Sequence, residues 1–416
     1  MLSIRKNFLH TRVACYIGFV IQAIIINFAP LLFLIFENTY SIPLSKITLL
    51  VIINFACQFV IDILAATFAS KMNYRVVIVG AHLLGAAGLL GLGFLPELTP
   101  DPFVGIVISI LVGAIGAGLI DVIGNPLLQS CPNDGGFESM GLLHSFYCWG
   151  HLGTVLLSTL FLALAGKTNW QLLACLWALV PLLNAVYFMI VPINQPSEEA
   201  ERQSSPKNIM KTGIFWLFVL IMMLGGSCEQ GMAQWASAFA ESALLDSNAI
   251  DPVLAKTVGD LMGPCLFAIM MGISRITYAK LCQKYDLRKM MILSGSLCII
   301  CYLVAALSQT PYLSLIGCGI CGFSVGIMWP GTLDLAGMSC SFGGTALFAM
   351  LALAGDMGCM FGPSVIGIAA DALGGGQLRT GMLIAALIPA ALVIILIIFG
   401  INQKRKSLRK QAEDAQ

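Results

Sequence analysis

Asp121 and Asn125 stand four residues apart inside a long apolar run, so a helix would set both on one face, one turn apart. Together they could bind a hydroxylated solute and hold a titratable proton. Pro126 beside them would free a backbone carbonyl one turn earlier, near Val122. The plainer explanation is a polar pair satisfied by a neighbouring helix. Glu229 lies in another apolar run, with Gly225 and Gly226 one turn back clearing space, and Gln230 and Gln234 repeat the spacing of four. One carboxylate and two amides do not face lipid, so this surface must border a cavity or another helix. His144, Tyr147 and His151 follow the i, i+3, i+7 spacing of a polar stripe. Histidine titrates near neutrality, and tyrosine can donate to a sugar oxygen or stack on a ring; interhelical hydrogen bonding would explain the stripe equally. Asp356 sits among Ala352, Gly355 and Gly358, where it would lock two helices or face a pathway. Asp334 could serve as a gate. Asp62 and Arg275 fall nearer the cytoplasmic ends of their helices, where interhalf salt bridges or snorkelling suffice as explanations.

What positions these residues is membrane-spanning helix. The chain of 416 residues is 58% hydrophobic and only 10% charged, whereas a soluble domain carries about 25% charged residues. Apolar runs long enough to cross a hydrocarbon core of about 30 Å recur throughout. The first is too long for a signal-peptide core and has no small-residue cleavage site after it. Twelve runs stand out, at 13–36, 46–69, 75–96, 103–128, 139–164, 169–192, 213–240, 255–280, 288–308, 311–336, 344–371 and 378–401. Backbone groups in lipid need partners within their own segment, and the runs lack barrel-type alternation, so an all-α polytopic protein is expected. Most of the 22 Lys and Arg residues fall in segments that share a side with both termini, which orients the chain with its termini in the cytoplasm of a cell membrane. The net charge of +1 says nothing about nucleic acid, and no basic stripe with interleaved aromatics appears, so nucleic acid is not an expected partner. The 14 cysteines lie mostly within apolar runs; Cys298/Cys301 and Cys318/Cys321 read C-x-x-C without a histidine, so thiols acting as small hydrophobes are expected, with no metal or cofactor.

The run of helices is duplicated. Gly113, Gly118 and Pro126 recur as Gly317, Gly322 and Pro330 at a constant offset, and Gly150-His-Leu-Gly153 is matched by Gly355-Asp-Met-Gly358. The loop from Ser70 to Arg75 echoes the loop from Gln283 to Arg288. The charged, Ser/Pro-containing segment from Asn194 to Lys211 reads as a linker. The expected division is a six-helix half at 1–192, a linker at 193–212, a second half at 213–403 and a basic, polar tail at 404–416. Two halves repeated in parallel are the architecture of major facilitator transporters.

On these features the sequence resembles the major facilitator superfamily over essentially its whole length. The superfamily loop signature G-x-L-x-D-R-x-G-R-R is degraded here, with Ser70 and Gln283 at the aspartate positions and Lys71 and Lys284 after them. Within the superfamily, Asp121…Asn125-Pro126, the GGSCEQGMAQW stretch carrying Glu229 and Trp235, GFSVGIMWPGT and GDMGCMFGPSVIG are similar to the fucose–proton symporter branch. That branch has an aspartate in its first span; Gln22 and Asn27 are the nearest polar residues here. Third spans pack peripherally in the fold resembled, which makes His82 structural.

The expected function is secondary active transport by a monomer with alternating access: symport of a proton and a small polar solute, a sugar or related metabolite. Asp121 and Glu229 are the expected proton carriers. Asn125, His144, Tyr147, His151, Gln230, Gln234, Trp235, Asn27, Gln22, Trp329 and Asp356 are the expected solute contacts, with Trp149 a further stacking surface. The competing transport function is proton-driven efflux of amphipathic compounds. An enzyme is not expected, because no nucleophile–base set or metal-ligand set appears.

Overall fold

A computed structural model describes residues 4–68, 73–129, 131, 137–194, 210–246, 251–281, 284–339 and 345–414. Among them twelve helices are long and apolar enough to cross a membrane. They are α1 (Phe8–Tyr40), α2 (Leu44–Leu64), α3 (Tyr74–Leu98), α4 (Pro102–Asn125), α5 (Leu143–Ala165), α6 (Lys167–Ile190), α7 (Gly213–Leu245), α8 (Leu254–Tyr278), α9 (Leu287–Leu307), α10 (Pro311–Ser339), α11 (Met350–Gly374) and α12 (Leu378–Arg405). No strand occurs among the described residues. An even number of spans puts both termini on one face, called here the terminal face; the other is the far face. Of the sequence features above, Ser70, Lys71, Gln283 and most of the linker lie outside the described residues.

Short polar side chains start the helices. Asn7 accepts the Leu9 N–H at 2.9 Å before α1, Asn73 accepts from Arg75 at 3.1 Å before α3, and Asp286 accepts from Lys289 at 3.1 Å before α9. Several spans are broken within the bilayer, and proline accounts for most of the breaks. α1 tightens to a 3-10 turn over Ala29–Leu32 around Pro30, and α8 widens to a π turn over Leu261–Cys265 around Pro264. In α12 the break after Ala385 falls one turn before Pro389, whose ring clashes with the carbonyl there. α10 is interrupted between Val325 and Met328.

Within the first six spans α3 packs on α4 and α6, and α1 on α5; within the last six α7 packs on α11 and α9 on α10. The two sets meet chiefly where α2 lies on α11 and α5 on α8. Moving each span six places along the chain exchanges those two pairs, so the interface obeys the same pseudo-symmetry as the sequence echoes. One echo has a visible cause. A Cβ on Gly118 would come within 3.2 Å of the Ile61 side chain on α2, and a Cβ on Gly322 would collide with the Phe267 carbonyl on α8. Both glycines therefore let equivalent helix pairs approach closely. Gly322→Val should cost at least about 1–3 kcal/mol of stability through overpacking against backbone. Gly153→Ala, where a Cβ meets nothing within 4 Å, should melt like the parent; equal melting temperatures for the two variants would refute this packing account.

Large apolar side chains cover the outside. On α5, Trp149, Leu156 and Leu160 are all exposed and share one helix face. Trp149 is thus on the outer surface of the described residues, with no ring or hydrogen-bond partner among them for a stacking role.

Candidate functional site

The polar residues singled out above fall into two groups near the junction of the halves. The first joins α1, α2, α4 and α11. Asn125 donates its amide to the Asp121 carbonyl at 3.0 Å and to the Asp121 carboxylate at 3.4 Å. Gln22, buried on α1, also hydrogen-bonds the Asp121 carboxylate. Asn125 Oδ1 is buried and has no hydrogen-bond partner among the described residues. Beside this group Asp62 of α2 and Asp356 of α11 lie next to each other across the two halves. Asp62, near the end of α2, does have its neighbour in the opposite half, but that neighbour is an acid rather than the base of an interhalf salt bridge.

The second group joins α1, α5, α7 and α8. Asn27 donates to Ala23 O at 2.9 Å and to the Tyr147 hydroxyl at 3.2 Å. Glu229 Oε1 lies 3.6 Å from Arg275 Nη2, and Arg275 Nη1 donates to the His144 carbonyl at 3.1 Å. Gln234 donates to Gln230 Oε1 at 3.1 Å, and Gln230 hydrogen-bonds Glu229. Arg275 thus reaches from the end of α8 back to the middle of α7. An interhalf salt bridge or snorkelling sufficed for Arg275 at the level of sequence; the guanidinium turns inward, to Glu229 of its own half and to the His144 carbonyl of the other.

The remaining expected contacts have identifiable neighbours. The His144 ring meets Phe19 edge-on, with centroids 5.3 Å apart, and His151 is buried against Phe267 at 6.4 Å. Trp235 is fully buried, donates its indole N–H to Pro363 O at 2.9 Å and lies against Phe33 at 5.3 Å. Trp329 fills the space over Gly355. Asp334 accepts the Tyr278 hydroxyl. His82 is held on both nitrogens, by the Ile78 carbonyl at 2.7 Å and by Asn184 at 2.9 Å, and so ties α3 to α6. A small, largely apolar cavity among α1–α4 touches these groups only through Gln234. Among the described residues no group of three or more His, Cys, Asp or Glu is placed to hold a metal.

A third network, at the far face, went unrecognised in the sequence. Lys167 of α6 pairs with Glu241 of α7 at 2.7 Å. Lys256 of α8 reaches Asp260 at 2.8 Å, Ser237 at 2.7 Å and Glu241 at 4.0 Å. Asp260 also accepts Ser237 at 2.5 Å and Thr159 of α5 at 3.0 Å. Lys256 and Asp260 are 3% and 0% exposed, so these are buried charges linking the halves. The i, i+4 spacing of Lys256 and Asp260 is the one sequence signal that points to them.

The model of the Major Facilitator Superfamily matches residues 14–350. No curated protein sequence matches the chain. Among solved structures, a point mutant of the nucleoside transporter NupG is similar at 15% identity with a TM-score of 0.76, covering 94% of this chain and 99% of that one. A point mutant of the E. coli fucose:proton symporter FucP is similar at 16% identity with a TM-score of 0.64, over 94% and 99%. A bacterial homolog of the human lysosomal transporter Spinster, inward-facing and unoccupied, is similar at 14% identity with a TM-score of 0.69, over 94% and 95%. The fold and the match together describe a multi-pass transporter rather than an enzyme. The chain belongs to the major facilitator superfamily.

Proposed function

We propose that this transporter carries a small polar solute, a sugar or related metabolite, together with a proton, by alternating access. The observation that carries this reading is the gathering of Gln22, Asn27, Asp121, Asn125, Tyr147, Glu229, Gln230 and Asp356 from both halves at their junction. Such a set offers amide, hydroxyl and carboxylate groups to a hydroxylated solute and carboxylates to a proton. Protonating Asp121 or Glu229 removes a charge from an apolar setting and so favours a different arrangement of the halves. Two of the similar structures are of a fucose:proton symporter and a nucleoside transporter, which agrees with a polar solute. The Lys and Arg bias supports a cell-membrane location with the termini and linker in the cytoplasm. A monomer suffices for this reading, because the polar groups of both halves meet within one chain.

The test is a thermal-shift screen of the purified protein against sugars and related metabolites, followed by uptake of each stabilising compound into proteoliposomes. Ligands of the native state raise its apparent stability. Accumulation driven by an inward proton gradient, and abolished by a protonophore, is the expected result. Extrusion of amphipathic compounds driven by the same gradient, without uptake of polar ones, would replace symport by efflux.

Asn125 supplies a sharper check. Its buried Oδ1 has no partner among the described residues, so a solute hydroxyl can donate to it. Asn125→Leu should weaken solute binding by about 1–3 kcal/mol, roughly 5- to 150-fold, with unchanged expression. Parental affinity in that variant would mean that the residue only packs.

A further inference from the structure

We propose that Arg275 is the anchor for a carboxylate on the solute, which makes the transported class hydroxylated monocarboxylates such as uronates and aldonates. The inference deepens the symport reading above and rests on it. A guanidinium has five N–H donors. On Arg275 a single strong hydrogen bond is made, from Nη1 to the His144 carbonyl at 3.1 Å. The other protein contacts are loose. Glu229 Oε1 is 3.6 Å from Nη2, beyond the 2.7–2.9 Å usual for a charge-assisted hydrogen bond, and Met271 Sδ is 3.9 Å from Nη2. Nε is buried and has no acceptor among the described residues.

The under-used donors are Nε and Nη2, one edge of the guanidinium. That edge presents two parallel N–H groups matched to a planar carboxylate, a fit that neutral hydroxyls reproduce poorly. The setting selects the rest of the solute. Tyr147 and Glu229 share the electrostatic field of Arg275, and Asn27 holds the Tyr147 hydroxyl. Gln230 and Gln234 continue the polar face of α7. One cation flanked by amide and phenol groups suits a monoanion with several hydroxyls. Glu229 is then the internal competitor: it holds Arg275 loosely until the solute carboxylate takes its place.

The test compares matched pairs on the purified full-length protein by thermal shift and titration calorimetry: glucuronate with glucose, galacturonate with galactose, and gluconate with glucitol. The acid of at least one pair should bind, and its neutral partner should bind at least about tenfold more weakly. Arg275→Gln should lower the acid's affinity about 10- to 100-fold. Arg275→Lys, which keeps the charge and guards against a folding defect, should recover only part of it. Glu229→Gln should strengthen acid binding, a gain that a purely structural ion pair would not produce. Equal binding of acid and neutral members overturns the carboxylate anchor but leaves solute transport standing. Binding by none of the six compounds overturns the anchor and removes support for a sugar-type solute as well.

Discussion

Asp121→Asn or Glu229→Gln should abolish proton-driven accumulation while leaving solute exchange measurable. Each replacement keeps the shape and hydrogen-bonding capacity of the parent but cannot titrate. Asn at 121 can still meet Gln22 and Asn125, the two side chains that now bond the carboxylate. Gln at 229 can still accept from Arg275 and Gln230. Binding and the passive half of the cycle therefore persist, with a solute carboxylate held more tightly in Glu229→Gln, and coupling is lost. The measurement is paired: uphill uptake under an inward proton gradient, and counterflow without one, in the same proteoliposomes. Unchanged uphill uptake in both single variants would overturn the assignment. The neighbouring Asp62 and Asp356 would then be the carriers to replace next.

The second large effect concerns the far face. Asp260→Ala leaves the Lys256 ammonium 3% exposed with only Ser237 and a carboxylate 4.0 Å away. Breaking a buried pair from one side costs about 3–5 kcal/mol, because the remaining charge keeps its desolvation penalty without its partner. The variant should melt well below the parent. It should also label faster at a cysteine introduced beside the network, since Asp260 accepts from Thr159 of the opposite half. Removing both charges, with Lys256→Met and Asp260→Leu together, should recover much of the loss, as apolar replacements of buried pairs generally do. A single variant that melts like the parent would show that the network contributes nothing to holding the halves together.

The twelve spans were legible because each is a run of apolar residues longer than any turn could hide, and the echo of Gly118 in Gly322 was legible because equivalent helix crossings need a missing Cβ. Local spacing also worked: Asn125 and Asp121 meet as the one-turn separation requires. What no spacing carries is the pairing of distant helices. Asp62 and Asp356 are brought together only by α2 lying on α11, and Lys167 and Glu241 only by α6 approaching α7. The partners of Arg275 were hidden for another reason. Its Cα is near the end of α8, but a long side chain sets its charge several ångströms from its own turn, and the direction depends on the partner. The stripe His144, Tyr147 and His151 lies on one helix as expected, yet its members meet Phe19, Asn27 and Phe267 in turn, because their neighbours change along the helix.

Alternating access requires the far face to open, and here it is closed, with Phe33 of α1 against Trp235 of α7 at 5.3 Å and Lys167 bonded to Glu241. Cysteines at Glu37 and Ser242, farther out on α1 and α7, test this most directly in a background lacking the native thiols. A short reducible crosslinker between them should stop solute uptake in proteoliposomes, and reductant should restore it. Uptake at the full rate with the crosslink in place would contradict the account, because those helix ends would then not part during transport.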